Sequence, residues 1–477
     1  MTTAILPRLA MLCTLPMAVV AAQPSGGNSD HEEMLAKLKI TAPLRHGPAG
    51  RINADGSVPP DYANYDASKA TAKSPVPPLL VMNDGRRITT PAMWEQHRKE
   101  LLETFDREFY GRLPEAAQTI KVSWEVTATT QGMSGDIAVI TRTLVGHVDP
   151  TYYPAIQVNI AASVTTPAAA AGKVPVIIQW GGGRGPAAGP GASWQQSAIA
   201  RGWGYGSLNP GSIQADSGAN NQLRQGIIGL INKGEARKVD DWGALRAWAW
   251  GATRLMDFFE SDALVDAQQI AFEGHSRYGK ATLVALVYEP RILTGFVSSS
   301  GEGGAKLWRH LVGEQVESLA GTSEYHWMAP NFLKYAGPLT VDDLPADAHQ
   351  FIALIAPRPV FISGGEYVEF NGARPGSRWS SESWQDTPGT FMATAGASPV
   401  WKLLGRKPLG NKALGITFDN VPDPMAVKAK MPPPLTPLVD GDIAFRQHDQ
   451  GHTDAPNWPT FIEFCDRYFR SPGFRQD

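Results

Sequence analysis

Cysteine is nearly missing from this 477-residue chain, which has two, Cys13 and Cys465. Cys13 falls in a segment read below as removable, so Cys465 stands alone, no intrachain disulfide is available, and stability must come from a buried core. Charge of one sign is equally scarce. A net charge of −3 gives neither nucleic acid nor an anionic membrane a reason to be the main partner. Long apolar runs are lacking as well: no stretch approaches the roughly 20 residues that span a bilayer, so no membrane span is expected. The glycine run Gly181–Gly185 lacks the Lys-Ser/Thr ending of a phosphate-binding loop, and no cofactor is expected. The chain is taken as a monomer.

What the sequence does contain is ordered along its length. Residues 1–22 carry Arg8, an apolar run from Leu9 to Val20 broken by Pro16, and Val20-Ala21-Ala22 before Gln23. That is the pattern of a secretory signal with a small-residue cleavage site, so export to the periplasm or the medium is expected. Residues 23–80 are rich in Gly, Pro, Ser, Ala and Asp, and 23–89 are read as an extended leader with little chemistry of its own. Trp94, Leu101, Leu102, Phe105 and Phe109 recur at helical spacing over 92–110. The alternation of apolar and polar residues over 119–164 predicts antiparallel strands. Beyond that point short apolar strands at 174–180, 269–273, 294–299 and 359–363 alternate with helices at 241–260, 279–288, 348–356 and 457–469. Strands alternating with helices predict an α/β fold, a mainly parallel central sheet with helices on both faces in three layers. No polar linker interrupts it, so one domain over 90–472 is expected.

Within this domain, Ile270-Ala-Phe-Glu-Gly-His-Ser-Arg-Tyr-Gly-Lys-Ala281 reads as a strand running through a glycine-framed serine into a helix. Such a turn lifts the Ser276 hydroxyl above the sheet edge, with the first N–H groups of the helix aimed at any oxyanion formed there. The second glycine, two after the serine in the usual motif, is here Tyr278, and Gly279 follows. Arg277 has a backbone N–H for half of an oxyanion hole and a guanidinium that adds a cationic donor, unless it is a surface arginine of the helix. Lys280 lies one turn on and shares the face of Ser276. The loop after Trp180 is the expected source of the other oxyanion N–H.

A serine nucleophile needs a base late in the chain. Of ten histidines, His452, in a Gly-His loop before the last helix, is preferred over His448. For the acid that orients it, Glu369, then Glu366, both after the strand at 359–363, are preferred to Glu302, after the strand at 294–299. Each is otherwise an ordinary loop carboxylate, and the choice among them stays open.

Gly274-His-Ser-Arg-Tyr-Gly-Lys-Ala281 resembles the G-x-S-R-x-G-K-[GA] signature of the glucuronoyl esterases, carbohydrate esterase family 15. Asp241-Trp-Gly-Ala-Leu-Arg246, Ser299-Ser-Gly-Glu-Gly-Gly304, His326-Trp-Met-Ala-Pro-Asn-Phe332 and Ala356-Pro-Arg-Pro359 are similar to its bacterial branch. The resemblance covers about 90–472. It implies an α/β-hydrolase fold, no metal, and cleavage of the ester between 4-O-methyl-glucuronic acid on glucuronoxylan and a lignin alcohol. It also implies Ser276 as nucleophile, His452 as base, Arg277 at the oxyanion, and Lys280, Glu317, Glu324 and Trp384 as contacts to the uronate, with Trp379 as an alternative tryptophan. Ser299 stands where many members keep a glutamate, which points to an acid from the later loop. The alternatives are an acetyl or feruloyl carbohydrate esterase and a non-catalytic glycan-binding relative.

Overall fold

The computed structural model describes residues 29–469 apart from 51–52, 54–56, 71, 182–192 and 368–381. The expected signal at 1–22, Glu369, Trp379 and the glycine run from Gly182 onward lie outside the described residues.

Among the described residues the central sheet has nine strands: β1 (Val122–Ser134), β2 (Ile137–Val148), β3 (Asn159–Pro167), β4 (Val174–Trp180), β5 (Gly204–Leu208), β6 (Val265–His275), β7 (Thr294–Ser298), β8 (Val360–Gly364) and β9 (Ile443–Gln447). Their order is β1-β2-β3-β5-β4-β6-β7-β8-β9. The first three pair antiparallel and β3 meets β5 antiparallel. From β5 to β9 every neighbour is parallel. This is the α/β-hydrolase arrangement expected from the sequence.

Successive strand residues point to opposite faces, and the core divides accordingly. Val176, Ile178, Phe272, Val297, Ile362 and Phe445 enter the larger cluster, whereas Ile177, Ala271, Phe296, Phe361 and Ala444 enter the smaller. The larger face is covered by helices at Ala244–Ser261 and Arg277–Tyr288 and by those at Ala348–Ala353 and Thr387–Ala397, which bring Trp248, Leu283, Phe351 and Phe391. The smaller face is covered by helices at Trp194–Ala200 and Trp458–Asp466 through Ala198, Phe461 and Phe464. Because both faces are covered, the parallel strands read as apolar runs rather than alternating ones.

Three elements differ from expectation. β5 has no sequence signal because it carries Gly204 and Gly206, yet a Cβ on either would lie 2.7 Å from the Thr165 carbonyl oxygen or 2.3 Å from that of Ser163. The glycines let the strand press against β3. β9 is a five-residue strand set among polar residues, too short to show a period. The leader is not simply extended: Ser29–Lys37 is helical and buries Asp30, His31 and Met34. Among the described residues no helix is long and apolar enough to cross a membrane.

Candidate active site

Ser276 sits between β6 and the helix Arg277–Tyr288 with φ 62° and ψ −128°. A non-glycine residue in this region is strained, and the strain is held by two hydrogen bonds: its N–H donates to Ser298 O at 2.9 Å, and its carbonyl accepts from Lys280 N at 3.2 Å. The flanking glycines are steric requirements. A Cβ on Gly274 would lie 2.1 Å from Tyr278 O, and one on Gly279 would lie 2.5 Å from Ser298 O. The crowded position on the helix side is therefore 279, which is why Tyr278 is tolerated two residues after the serine. The helix begins directly at Arg277, so its unpaired first-turn N–H groups and its positive dipole end open beside the hydroxyl.

His452 reaches the same place from the opposite end of the chain. Its ring centroid is 4.2 Å from that of His275, the residue before Ser276. His275 is held by Ser298 Oγ at 3.1 Å, and burial first, then the neighbouring His452, pushes its pKa down to about 4. It is therefore a neutral ring packed against His452. His448 instead builds the loop: its Nε2 donates to Thr453 O at 2.8 Å and its Nδ1 accepts from Gln450 N at 3.1 Å. That bracing of Gln450–Thr453 carries His452 to the sheet edge.

The carboxylate on His452 corrects the sequence reading. Nδ1 of His452 is bonded to Glu382 Oε1 at 2.8 Å, and the Glu382 side chain is fully buried. Glu366 serves through its backbone, donating its N–H to Gln450 O at 3.0 Å and accepting from Glu382 N at 2.9 Å, so it ties the two loops rather than orienting the imidazole. Glu302 is bonded to Lys306 at 2.7 Å in the interior. Glu369 is outside the described residues. A Cβ on Gly365 would lie 2.3 Å from Glu382 Cγ and 2.5 Å from Gln450 O, so this glycine lets the two loops close. Glu382 follows the long insertion after β8, and nothing local in the sequence marks it.

Arg277 is held by Asp216, whose Oδ2 accepts from Nη1 at 2.7 Å, and its guanidinium lies 5.5 Å from the Trp327 ring. Asp216 also accepts from His326 Nε2 at 3.0 Å and Trp327 Nε1 at 2.6 Å. Burial alone would raise its pKa, but these donors outweigh it and hold the carboxyl well below its ordinary range. Lys280 is buried with its ammonium on Ser300 O at 2.7 Å and Glu314 Oε2 at 3.0 Å. Glu314 in turn accepts from Glu302 N at 2.9 Å. Asp216 and Glu314 were not among the expected residues, since an ion pair between residues far apart in the chain leaves no local pattern, whether half-exposed as at Asp216 or buried as at Glu314. Glu317, Glu324 and Trp384 line one cleft of about 480 Å³. Glu324 is near enough for its charge to act on Arg277, and Trp384 is two residues beyond Glu382.

A family model described as glucuronyl esterase, fungi, matches residues 155–405. The chain belongs to the glucuronoyl esterase family. It resembles a glucuronoyl esterase of carbohydrate esterase family 15 from Teredinibacter turnerae, at 38% identity over 92% of this chain and 99% of that one, with a TM-score of 0.77. A carbohydrate esterase from an unknown prokaryotic organism is 28% identical over 85% of this chain and 92% of its own. A 4-O-methyl-glucuronoyl methylesterase of Hypocrea jecorina is 27% identical over 69% of this chain and 62% of its own. As a member of the glucuronoyl esterase family, the chain is a carboxylic ester hydrolase of the serine type, and the elbow at Ser276 lies inside the matched region.

Proposed function

We propose that this esterase hydrolyses 4-O-methyl-glucuronoyl esters that join glucuronoxylan to lignin alcohols, as an exported monomer. The observation that carries the reading is the buried Glu382–His452 pair packed beside the Ser276 elbow. Glu382 accepts the Nδ1 proton, so Nε2 presents its lone pair as general base. Ser276 Oγ passes its proton to Nε2 as it bonds to the uronate carbonyl carbon. The oxygen that gains charge is met by the helix N–H groups and the Arg277 guanidinium, donors that strengthen as the charge develops. The imidazolium then protonates the departing alcohol oxygen and leaves a uronyl-serine ester. Water repeats the sequence, giving its proton to His452, releasing the uronic acid and restoring Ser276.

The uronate is held by Lys280, Glu317, Glu324 and Trp384. Lys280 has a third ammonium hydrogen beyond the two given to Ser300 O and Glu314, and the carboxylates accept from hydroxyls, while Trp384, buried with Gly50 against its ring, closes the cleft beside them. The segment 1–22 directs export, which places the enzyme where glucuronoxylan is found. Hydrolysis of benzyl glucuronate tests the reading. Ser276→Ala should lose at least about 10³-fold in kcat, and equal rates for the two proteins would sink it.

A further inference from the structure

Glu273 lies on β6, three residues before the nucleophile, and its side chain is fully buried. Strand alternation turns it to the face of Ile177, Ala271, Phe296 and Trp458, all members of the smaller apolar cluster. Gln179, its register partner on β4, donates Nε2–H to Glu273 Oε2 at 2.8 Å. Oε1 finds no donor among the described residues. The polar group that does reach this carboxyl is a second carboxyl, that of Asp454, two residues past His452. Asp454 is fixed there, since its Oδ2 accepts from Trp458 Nε1 at 3.1 Å. The Trp458 ring in turn packs 5.5 Å from that of Phe296, the neighbour of Glu273 on β7.

Two carboxyls in contact within an apolar wall do not both ionise, because each charge would be stripped of water and repelled by the other. The deeper one keeps the proton. Burial first, then the charge of Asp454, pushes the Glu273 carboxyl well above its ordinary range. A protonated carboxyl is a donor, which gives the orphaned oxygen an O–H and makes Asp454 its acceptor. The position of this bond matters for the chemistry. On its other side the loop of His452 is braced by His448, on Thr453 O and Gln450 N, and by the Glu366 N–H on Gln450 O. The Glu273–Asp454 contact joins the same loop to the strand that delivers Ser276, with two residues of chain to the base and three to the nucleophile. So short a span leaves little slack between the two reacting side chains.

Resting on the esterase reading above, we propose that Glu273 is a positioning residue, which donates a carboxyl hydrogen to Asp454 and so fixes the loop of the base His452 to the strand of the nucleophile Ser276. Glu273→Leu removes the donor. Glu273→Gln keeps an acceptor for Gln179 and a neutral N–H donor for Asp454, and loses only the ability to ionise. On benzyl glucuronate, Glu273→Leu and Asp454→Ala should each lower kcat by about tenfold or more with little change in KM, since the reacting groups lose register while the uronate contacts stay. The double variant should lose no more than either single one, and Glu273→Gln should stay within about threefold of the wild type. The pH profile separates the proton from the shape. The bond is present while Glu273 holds its proton and is lost as pH rises through its raised pKa, so the alkaline decline of kcat should begin at lower pH in the wild type than in Glu273→Gln. β4, β7 and the last helix present Gln179, Phe296 and Trp458 to this carboxyl, Asp454 is the charge acting on it, and His275, His452, His448 and Glu382 stand beyond. All are retained in Glu273→Gln, so a difference between the two profiles belongs to this carboxyl. An undiminished kcat in Glu273→Leu, additive losses in the double variant, a Gln variant as slow as the Leu one, or coinciding alkaline limbs would overturn the proposal. Should Glu273→Leu fail to fold in a urea melt, the Gln profile decides. Inactivity of the wild type on glucuronate esters would strike the substrate reading instead. The rate at which a fluorophosphonate labels Ser276, which needs the base but no uronate, should then still rank the variants in the same order.

Discussion

At His452 one oxygen decides which ring nitrogen carries the proton. Glu382 is acceptor-only when ionised, so it selects the tautomer with hydrogen on Nδ1 and stabilises the imidazolium that follows. An amide in its place can turn its NH₂ toward Nδ1 and stabilise the wrong tautomer with no change of shape. Glu382→Gln should therefore lower kcat by about 10³- to 10⁴-fold with little change in fold. Glu366→Gln alters only a side chain whose backbone does the tying, and should stay within about threefold. Steady-state kinetics on benzyl glucuronate with circular dichroism separates the two. A large loss at Glu366 and a small one at Glu382 would move the acid to Glu366, the second of the residues expected from the sequence.

At the scale of the element, the strand–turn–helix around Ser276 was readable because its constraint is local: the turn demands small residues, and they occur in the text. Gly279→Ala places a methyl 2.5 Å from Ser298 O, a backbone atom of the neighbouring strand that cannot turn aside. It should cost about 1–3 kcal/mol in a urea melt, with loss of activity as the elbow shifts. Glu382, Glu314 and Asp216 were not readable because each acts on a partner far away in sequence, through a fold that had to form first. β5 escaped for a related reason, since its glycines answer to the carbonyls of β3 and give no apolar alternation. The helix Ala348–Ala353 carries a further tertiary device. His349 is fully buried, donates Nε2–H to Pro77 O at 3.0 Å, and has no partner for Nδ1 among the described residues. Burial lowers its pKa to about 4 from 6.5, outweighing the attraction of Asp347. With the folded value depressed, the unfolded chain takes up the proton first, so this contribution is complete above pH 6.5 and is lost as pH falls toward 4. The urea midpoint should decline from pH 6.5 to 5, and His349→Gln, which keeps an N–H donor, should flatten that decline. An identical slope in the variant would assign the effect elsewhere.

For the molecule as a whole, the leader is part of the enzyme rather than an appendage, and its first helix shows how it is secured. Asp30 and Arg237 are both fully buried and meet at 3.4 Å, and Tyr325 Oη donates to the same carboxylate oxygen at 3.0 Å. Arg237 also bonds Met328 O at 2.9 Å, next to the Trp327 that faces Arg277 and Lys280. One cation therefore joins the leader to the segment beneath the active site. Removing its carboxylate leaves a buried charge with carbonyls alone, and Asp30→Ala should cost about 3–5 kcal/mol. Glu33, on the same helix, pairs at the half-exposed surface with Lys37 at 3.1 Å and with Arg224 at 2.5 Å, and because these pairs stay in contact with solvent Glu33→Ala should cost under about 1 kcal/mol. If the leader were only a trailing segment, the two substitutions would give the same thermal midpoint as the wild type. A separation of several degrees, with the Asp30 variant lower and its activity on glucuronate esters reduced together with its stability, is what this anchorage requires.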